Sequence, residues 1–382
     1  MQSTGGASIA CNRISDALRS NDHHVLSISS DGINSDSNYL LFLGKKFEII
    51  SRLFGTALPH QLIDHFQVKE LHRQLSILLN RIKPDLINVH NLHSAGWPIS
   101  LVRTCLHFAP VVWTLHDCWS FLGSYYPIYS AAQSPKLKCE INKFWESVRR
   151  NSPKHSLCAA TPSVWMKNEA KTSHWADYNV EAIHNPVPDS FFATRDRKAC
   201  KRALSLNESK TTILCIAGNL DEERKGGPIL SDILAENWGQ EVEFLLIGNG
   251  YSATSNSENV KCIGFLKDEI TLQIAYAAAD ILLHPAPIDN LPNTVAESMS
   301  CGTPVLAFDT GGLPEMITHE KSGWLEPSLN SSEMIHSLKN ILKTGSHTNL
   351  RNSTREIALN LFQSTLIGEK YYDLFPACGA HS

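Results

Sequence analysis

Short apolar runs and amphipathic stretches alternate along this chain, and the alternation occurs twice. In the first half, "HVLSISS", "DLINVHN", "PVVWTLHD", "LCAATPS" and "EAIHNP" read as strands. Between them, "ASIACNRISDALRS", "LIDHFQVKELHRQLSILLNRI" and "SVWMKNEAKTS" carry apolar residues at helical spacing. In the second half the strands are "TTILCIAGN", "VEFLLIGNG", "VKCIGFL", "DILLHPA" and "TPVLAFD", with helices near "GPILSDILAENW", "DEITLQIAYAAA" and "NTVAESMSC". Apolar strands alternating with helices predict parallel sheets covered on both faces. The expected architecture is therefore α/β, with two doubly wound domains. Prolines and charges in "HNPVPDSFFATRDRK" break the pattern, which places the domains at 1–188 and 189–375. From about Glu333 onward the chain reads as helical.

Composition narrows the class. The chain has 382 residues, 42% hydrophobic and 19% charged, enough for two sizeable globular cores. Its net charge of −4, with both signs mixed, does not describe a nucleic-acid binder. Ten cysteines lack any C-x-x-C pair, which fits a reducing cytoplasm better than a disulfide framework. Contexts such as "TILCIAG" and "VKCIGF" predict small buried thiols. No apolar run is long enough to span a bilayer. The first residues lack the basic and apolar regions of a signal peptide. "YLLFLGKKFEIISRLFGTALPHQL", residues 39–62, is apolar with scattered basic charges. It reads as a core or lid segment, with a peripheral membrane contact for a lipid-linked acceptor as the alternative.

The candidate chemistry falls at strand ends. Open α/β sheets bind ligands outside the C-terminal edges of their strands, and two such domains facing each other make a cleft there. His116 and Asp117 follow "VVWTL", Asn219 follows "LCIAG", Asp289 follows "ILLHPA", and Gly311 and Gly312 follow "PVLAF". In "HPAPIDNLPNTVAESMSCG", Asn290 is placed to cap a helix with Pro292 in its first turn and Gly302 at its end. Glu297 would then lie about two turns in, roughly 12 Å from Asp289 along the axis. That separation suits a nucleotide sugar, with ribose on one carboxylate, sugar hydroxyls on the other, and phosphates near the helix amides. "LDEERKGG" adds Arg224 and Lys225, two cations suited to a diphosphate leaving group. No Asp-x-Asp pair is visible, and Cys139 is the single cysteine in "SYYPIYSAAQSPKLKCEINK", so neither a metal nor a cofactor is expected.

"IDNLPNTVAESMSCGTPVLAFDTGGLPEMI" resembles the donor-binding signature of retaining GT-B glycosyltransferases of family 4. The likeness is strongest to the branch making capsule, colanic-acid-like and lipopolysaccharide sugars. It extends over most of the chain through "GGASIACNRISDAL", "VVWTLHDCWSFLG", "TPSVWMKNEA", "LDEERKGG" and "LIGNG". The resemblance implies a GT-B fold with an acceptor domain first and a donor domain second. It implies donor contacts from Glu297, Lys225, Arg224, Asn290, Leu291, Asn293, Thr294, Gly311 and Gly312. His116 and Asp289 would stand at the reacting centre, and Gly5, Gly6 and Asp117 in an acceptor or phosphate loop. The family usually has Glu where this chain has Asp289, and many members have Arg where Asn219 stands. Glu315 reads more simply as a capping-box residue. The implied activity is transfer of a sugar from a nucleotide donor to a saccharide or lipid-linked saccharide, in the cytoplasm or at the inner face of the membrane. A nucleotide-sugar epimerase and a non-catalytic nucleotide-sugar-binding protein are the rival readings. The family has a buried strand before its Gly-Gly turn; here only "MQSTGG" precedes the helix. The expectation is a first domain lacking its first strand, with a short apolar strand encoded upstream.

Overall fold

Parallel strands make up both halves. The computed structural model describes residues 5–30, 38–40, 60–128, 134–151, 157–251 and 259–379. Most of the apolar segment 39–62, and the residues before Gly5, lie outside them. The chain divides into two compact units, and the first is discontinuous. It contains the residues up to Ile183 and those from Ile367 onward, while His184–Leu366 form the second.

In the first unit, β1 (Ser27–Ser29) and β2 (Asn38–Leu40) form a parallel pair. β3 (Ile87–Val89), β4 (Val111–Thr114), β5 (Leu157–Thr161) and β6 (Asn179–Ala182) form a parallel sheet in that order. Among the described residues no strand joins the two pieces. Every residue of β4 and β5 is buried, as strands covered on both faces should be. The helix Pro135–Asn151 and the turn after the helix Val164–Lys171 bring Trp145 and Trp175 edge-to-face, with ring centroids 4.8 Å apart. Both indoles donate to Ser120, one to its carbonyl at 2.9 Å and one to its hydroxyl at 3.2 Å.

The expected boundary at 188 moves for a physical reason. Val187 N–H donates to Phe362 O at 2.9 Å, which binds the proline-rich segment to the second unit. The expected span 189–375 also loses its end. On the helix Ser364–Ala377, Ile367, Tyr371 and Leu374 share one stripe and are buried with Ile14, Leu18 and Val112. Tyr371 Oη lies 3.2 Å from Thr114 Oγ1. Gly368 permits the close approach, since a Cβ there would lie 2.9 Å from Ala17 O.

The second unit is one continuous sheet of β7 (Thr211–Asn219), β8 (Val242–Asn249), β9 (Val260–Gly264), β10 (Ile281–His284), β11 (Val305–Phe308) and β12 (Gly323–Glu326). All strands are parallel, in the order β12-β11-β10-β7-β8-β9. The order reverses between β7 and β10, which is the topological switch point of a doubly wound sheet. Cys215 on β7 is buried as expected, but Cys262 is exposed. It lies on β9, the edge strand, so its apolar context does not bring it inside. No helix among the described residues is long and apolar enough to cross a membrane.

Candidate active site

The switch point of the second unit collects several of the residues singled out above. β7 ends at Asn219, whose Oδ1 accepts from Asp221 N–H at 3.1 Å. Asp221 in turn accepts from Tyr251 N–H at 3.0 Å, which ties the loop after β7 to the end of β8. Asn219 therefore shapes the loop. The loop continues into a short 3-10 turn, Glu223–Lys225, and then Gly226 at φ 82°. A Cβ on Gly226 would lie 2.1 Å from Pro285 O, so glycine alone lets this turn touch the loop after β10. That approach brings Lys225 Nζ to Asp289 Oδ2 at 2.6 Å. Gly311, at φ 58°, presses from the other side; its Cβ would lie 2.0 Å from Asp289 O. Gly312 N–H donates to the same carbonyl at 3.1 Å, and Asn290 N–H donates to Asp289 Oδ1 at 2.9 Å.

Asp289 is buried, and burial alone would raise its carboxyl. The charges of Lys225, His284 and Arg224 outweigh burial and hold it at about 2. His284 Nε2 lies 3.7 Å from Asp289 Oδ2. Burial, opposed by Asp289 and assisted by Lys225, holds this imidazole at about 4. His284 is thus neutral at pH 7, and Lys225 is the cation that keeps Asp289 ionised. Arg224 Nε pairs with Glu222 Oε1 at 2.9 Å, in a more exposed position.

The helix after Asp289 starts later than the sequence suggested. It spans Asn293–Ser300, with Pro292 at the N-cap and no side-chain cap. Asn290 is not the cap, because Pro292 fixes its own φ and sets the helix start behind it. Asp289 therefore lies in the preceding loop, and Glu297 is little more than one turn into the helix. Gly302 ends the helix at φ 80°, as expected. Glu297 is buried and accepts from Tyr276 Oη at 2.8 Å; Tyr276 lies on the helix Glu269–Ala278. Asn293 Oδ1 accepts from Asn185 Nδ2 at 3.4 Å, Leu291 is buried and Thr294 is half-buried. Glu315 makes no capping box. The short helix Leu313–Met316 has Gly312 at its N-cap, and Glu315 Oε2 lies 3.8 Å from His184 Nε2.

The first unit holds the remaining candidates. Gly5, at φ 136°, and Gly6 open the helix Gly6–Ser20, and Gly5 O accepts from Ile9 N–H at 3.0 Å. His116, just past β4, places Nε2 2.9 Å from His90 Nδ1, and the two rings stack at 5.2 Å. Burial lowers both imidazoles, His116 to about 4 and His90 well below its ordinary value. Asp117 Oδ1 accepts from Trp119 N–H at 2.9 Å, so this carboxylate orients local backbone. His93 Nε2 lies 3.2 Å from Asp117 Oδ2, and its ring stacks on Trp119 at 4.8 Å. Among the described residues no three His, Cys, Asp or Glu side chains converge as metal ligands.

Four residues of these clusters escape sequence reasoning. His284 sits inside the quoted motif but has no spaced partner. His90 and His93 stand three apart in "HNLH", and nothing local links them to His116. Tyr276 is one apolar position among many on its helix.

Two family models match the chain. One, Glycosyltransferase Family 4, covers residues 4–191, and the other, Glycosyl transferases group 1, covers residues 211–344. The chain is 21% identical over 204 residues to N-acetyl-alpha-D-glucosaminyl L-malate synthase of Bacillus anthracis, covering 52% of this chain and 53% of that protein. It thus spans about half the length of the curated relatives it matches in this way. Among solved structures, sucrose-phosphate synthase from Thermosynechococcus elongatus superposes with a TM-score of 0.76 at 19% identity, over 100% of this chain and 95% of that one. Anabaena HepE in complex with UDP-glucose gives a TM-score of 0.67 at 16% identity, over 98% and 96% of the two chains. At such identities these likenesses speak to the fold.

Proposed function

Because this chain is a glycosyltransferase of the family 4 and group 1 type, with the GT-B fold, we propose that it moves a sugar from a nucleotide-sugar donor to a saccharide or lipid-linked saccharide. The anomeric configuration is retained, and the product serves surface polysaccharide synthesis. One observation carries the donor reading. The loops after β7 and β10 bring a cation and a carboxylate together at the switch point, Lys225 Nζ on Asp289 Oδ2 at 2.6 Å. Lys225 is suited to the charge that grows on a departing diphosphate. Asp289 is suited to the hydroxyls of the transferred sugar, and Glu297 to the ribose. Backbone amides at the start of the helix Asn293–Ser300 favour the phosphates. The acceptor oxygen attacks from the face the nucleotide leaves, and the departing phosphate takes its proton. No second carboxylate is then required as nucleophile. UDP-glucose, which HepE binds, is the first donor to try.

The test is product analysis by mass spectrometry and NMR after incubation with nucleotide sugars and saccharide acceptors. A glycoside with the donor's anomeric configuration is expected, and a chelator should leave its formation intact. Free epimerised sugar without an acceptor would reassign the chain to an epimerase. Donor binding with neither transfer nor hydrolysis would leave a binding protein. Asp289→Asn should lower turnover about tenfold or more while changing donor affinity less.

A further inference from the structure

His284 closes β10 and is buried, 5% exposed. Its Nε2 has no hydrogen-bond partner. A buried polar atom without a partner gives up its hydration for nothing, so each such atom calls for an explanation. This one lies 3.7 Å from Asp289 Oδ2, too far for a hydrogen bond and near enough for a small side-chain shift to make one. The same oxygen is occupied by Lys225. The backbone here has little room to move, because the Pro285 and Asp289 carbonyls are pressed by Gly226 and Gly311. A change of partners at Asp289 therefore falls to the side chains.

Donor binding would force such a change. A diphosphate that draws Lys225 away leaves Asp289 buried without its principal cation, and a buried carboxylate so stripped is strongly disfavoured. We propose that His284 takes over Asp289 when the donor claims Lys225. The Nε2–H closes on Oδ2 and holds the carboxylate aimed at the sugar. His284 is then a positioning residue, and Lys225 is free to serve the phosphates without loosening the sugar contact. The inference rests on the reading that Lys225 meets the diphosphate and Asp289 the sugar. The charged groups bearing on this exchange are Asp289, Lys225 and, through Asp289, Arg224. Losing Lys225 removes one influence that lowers the imidazole's proton affinity and leaves Asp289, which raises it.

The exchange can be tested without any ligand. Lys225→Met removes the amine and keeps most of the alkyl stem. In histidine-labelled protein, with His284→Gln as the assignment control, Lys225→Met should show a slowly exchanging, hydrogen-bonded Nε2 proton on His284. Wild type should lack it, and Lys225→Met combined with Asp289→Ala, which removes the acceptor, should lose it. A change in field alone would shift the titration without producing this resonance. Its absence in Lys225→Met, or its survival without the Asp289 side chain, overturns the proposal. A second arm uses UDP and UDP-glucose. His284→Met should bind UDP as wild type does but turn over UDP-glucose about tenfold more slowly, and His284→Gln, which retains an N–H, should recover most of that rate. Equal rates for Met and Gln would also overturn it. If wild type binds neither probe, the choice of donor fails, and the ligand-free arm still decides the hand-over.

Discussion

His116 and His284 occupy like places in the two units. Each stands at the C-terminal end of a strand in a parallel sheet, and each is kept neutral chiefly by burial. Their surroundings differ. His116 shares a hydrogen bond with His90, and nearby His93 and Asp117 lie within contact of each other. His90 and His116 satisfy one another from two adjacent strand ends, whereas neither ring nitrogen of His93 has a hydrogen-bond partner among the described residues. His284 faces an ion pair and has no hydrogen bond at Nε2. A hydrogen-bonded pair such as His90 and His116 can be fixed before any ligand arrives. A group left unanswered beside a paired carboxylate belongs to a site that expects its partners to change.

The sharpest way to break this contrast is Lys225→Ala. Removing the cation should lower turnover by about 10²–10³, the range for losing one preorganised group at a developing charge. Thermal unfolding should also shift down, because Asp289 becomes a buried charge without its partner. Sugar transfer within twofold of wild type would mean that the ion pair is structural only.

Acid compares the two sites directly. The folded-state proton affinities of His90, His116 and His284 lie below the ordinary value near 6.5. Between 6.5 and the folded values, the unfolded chain binds protons that the folded chain refuses. This stabilisation is complete above 6.5 and is lost as pH falls toward about 4. For His284 the loss is on the order of 3 kcal/mol. Denaturant unfolding across this window should show the decline, and His284→Gln should flatten only its own share. Asp289 adds a further loss of the same sign as pH falls from 3.8 toward about 2.

Glu297→Gln should weaken donor binding by about 1–3 kcal/mol, read by calorimetry, as expected for a hydrogen bond to a charged group. An unchanged affinity would remove it from the site. The smallest effect is expected from Arg224→Ala, less than that of Lys225→Ala, since its guanidinium already pairs with Glu222 in a half-buried position. A loss as large as that of Lys225→Ala would make the two cations equal partners.

Much of this was legible because it is periodic. The strands β7 to β11 stand in the sequence as apolar runs, and the Asp289 motif announces a loop, a helix and a glycine turn. Lys225 and Asp289 were each found from the sequence, yet their pairing was not. They meet because Gly226 and Gly311 allow three loops to touch, and close approach leaves no periodic trace. Asn290 misled because a good capping residue two positions before a proline looks like a helix start. The return of Ile367, Tyr371 and Leu374 to the first unit was invisible for another reason. Their stripe shows that a face is buried, and says nothing of which core receives it.

That returning helix bears on how the protein is made. A ribosome delivers the chain in order at ~5–20 residues per second, and domains generally fold as they emerge. The second unit, His184–Leu366, is continuous and can close once its own residues are out. The first unit begins earlier and ends later. Its seam at Ile14, Leu18 and Val112 stays uncovered until Ile367, Tyr371 and Leu374 arrive. The unit synthesised first is therefore the unit completed last, with an apolar seam in the nascent chain for about 13–50 s.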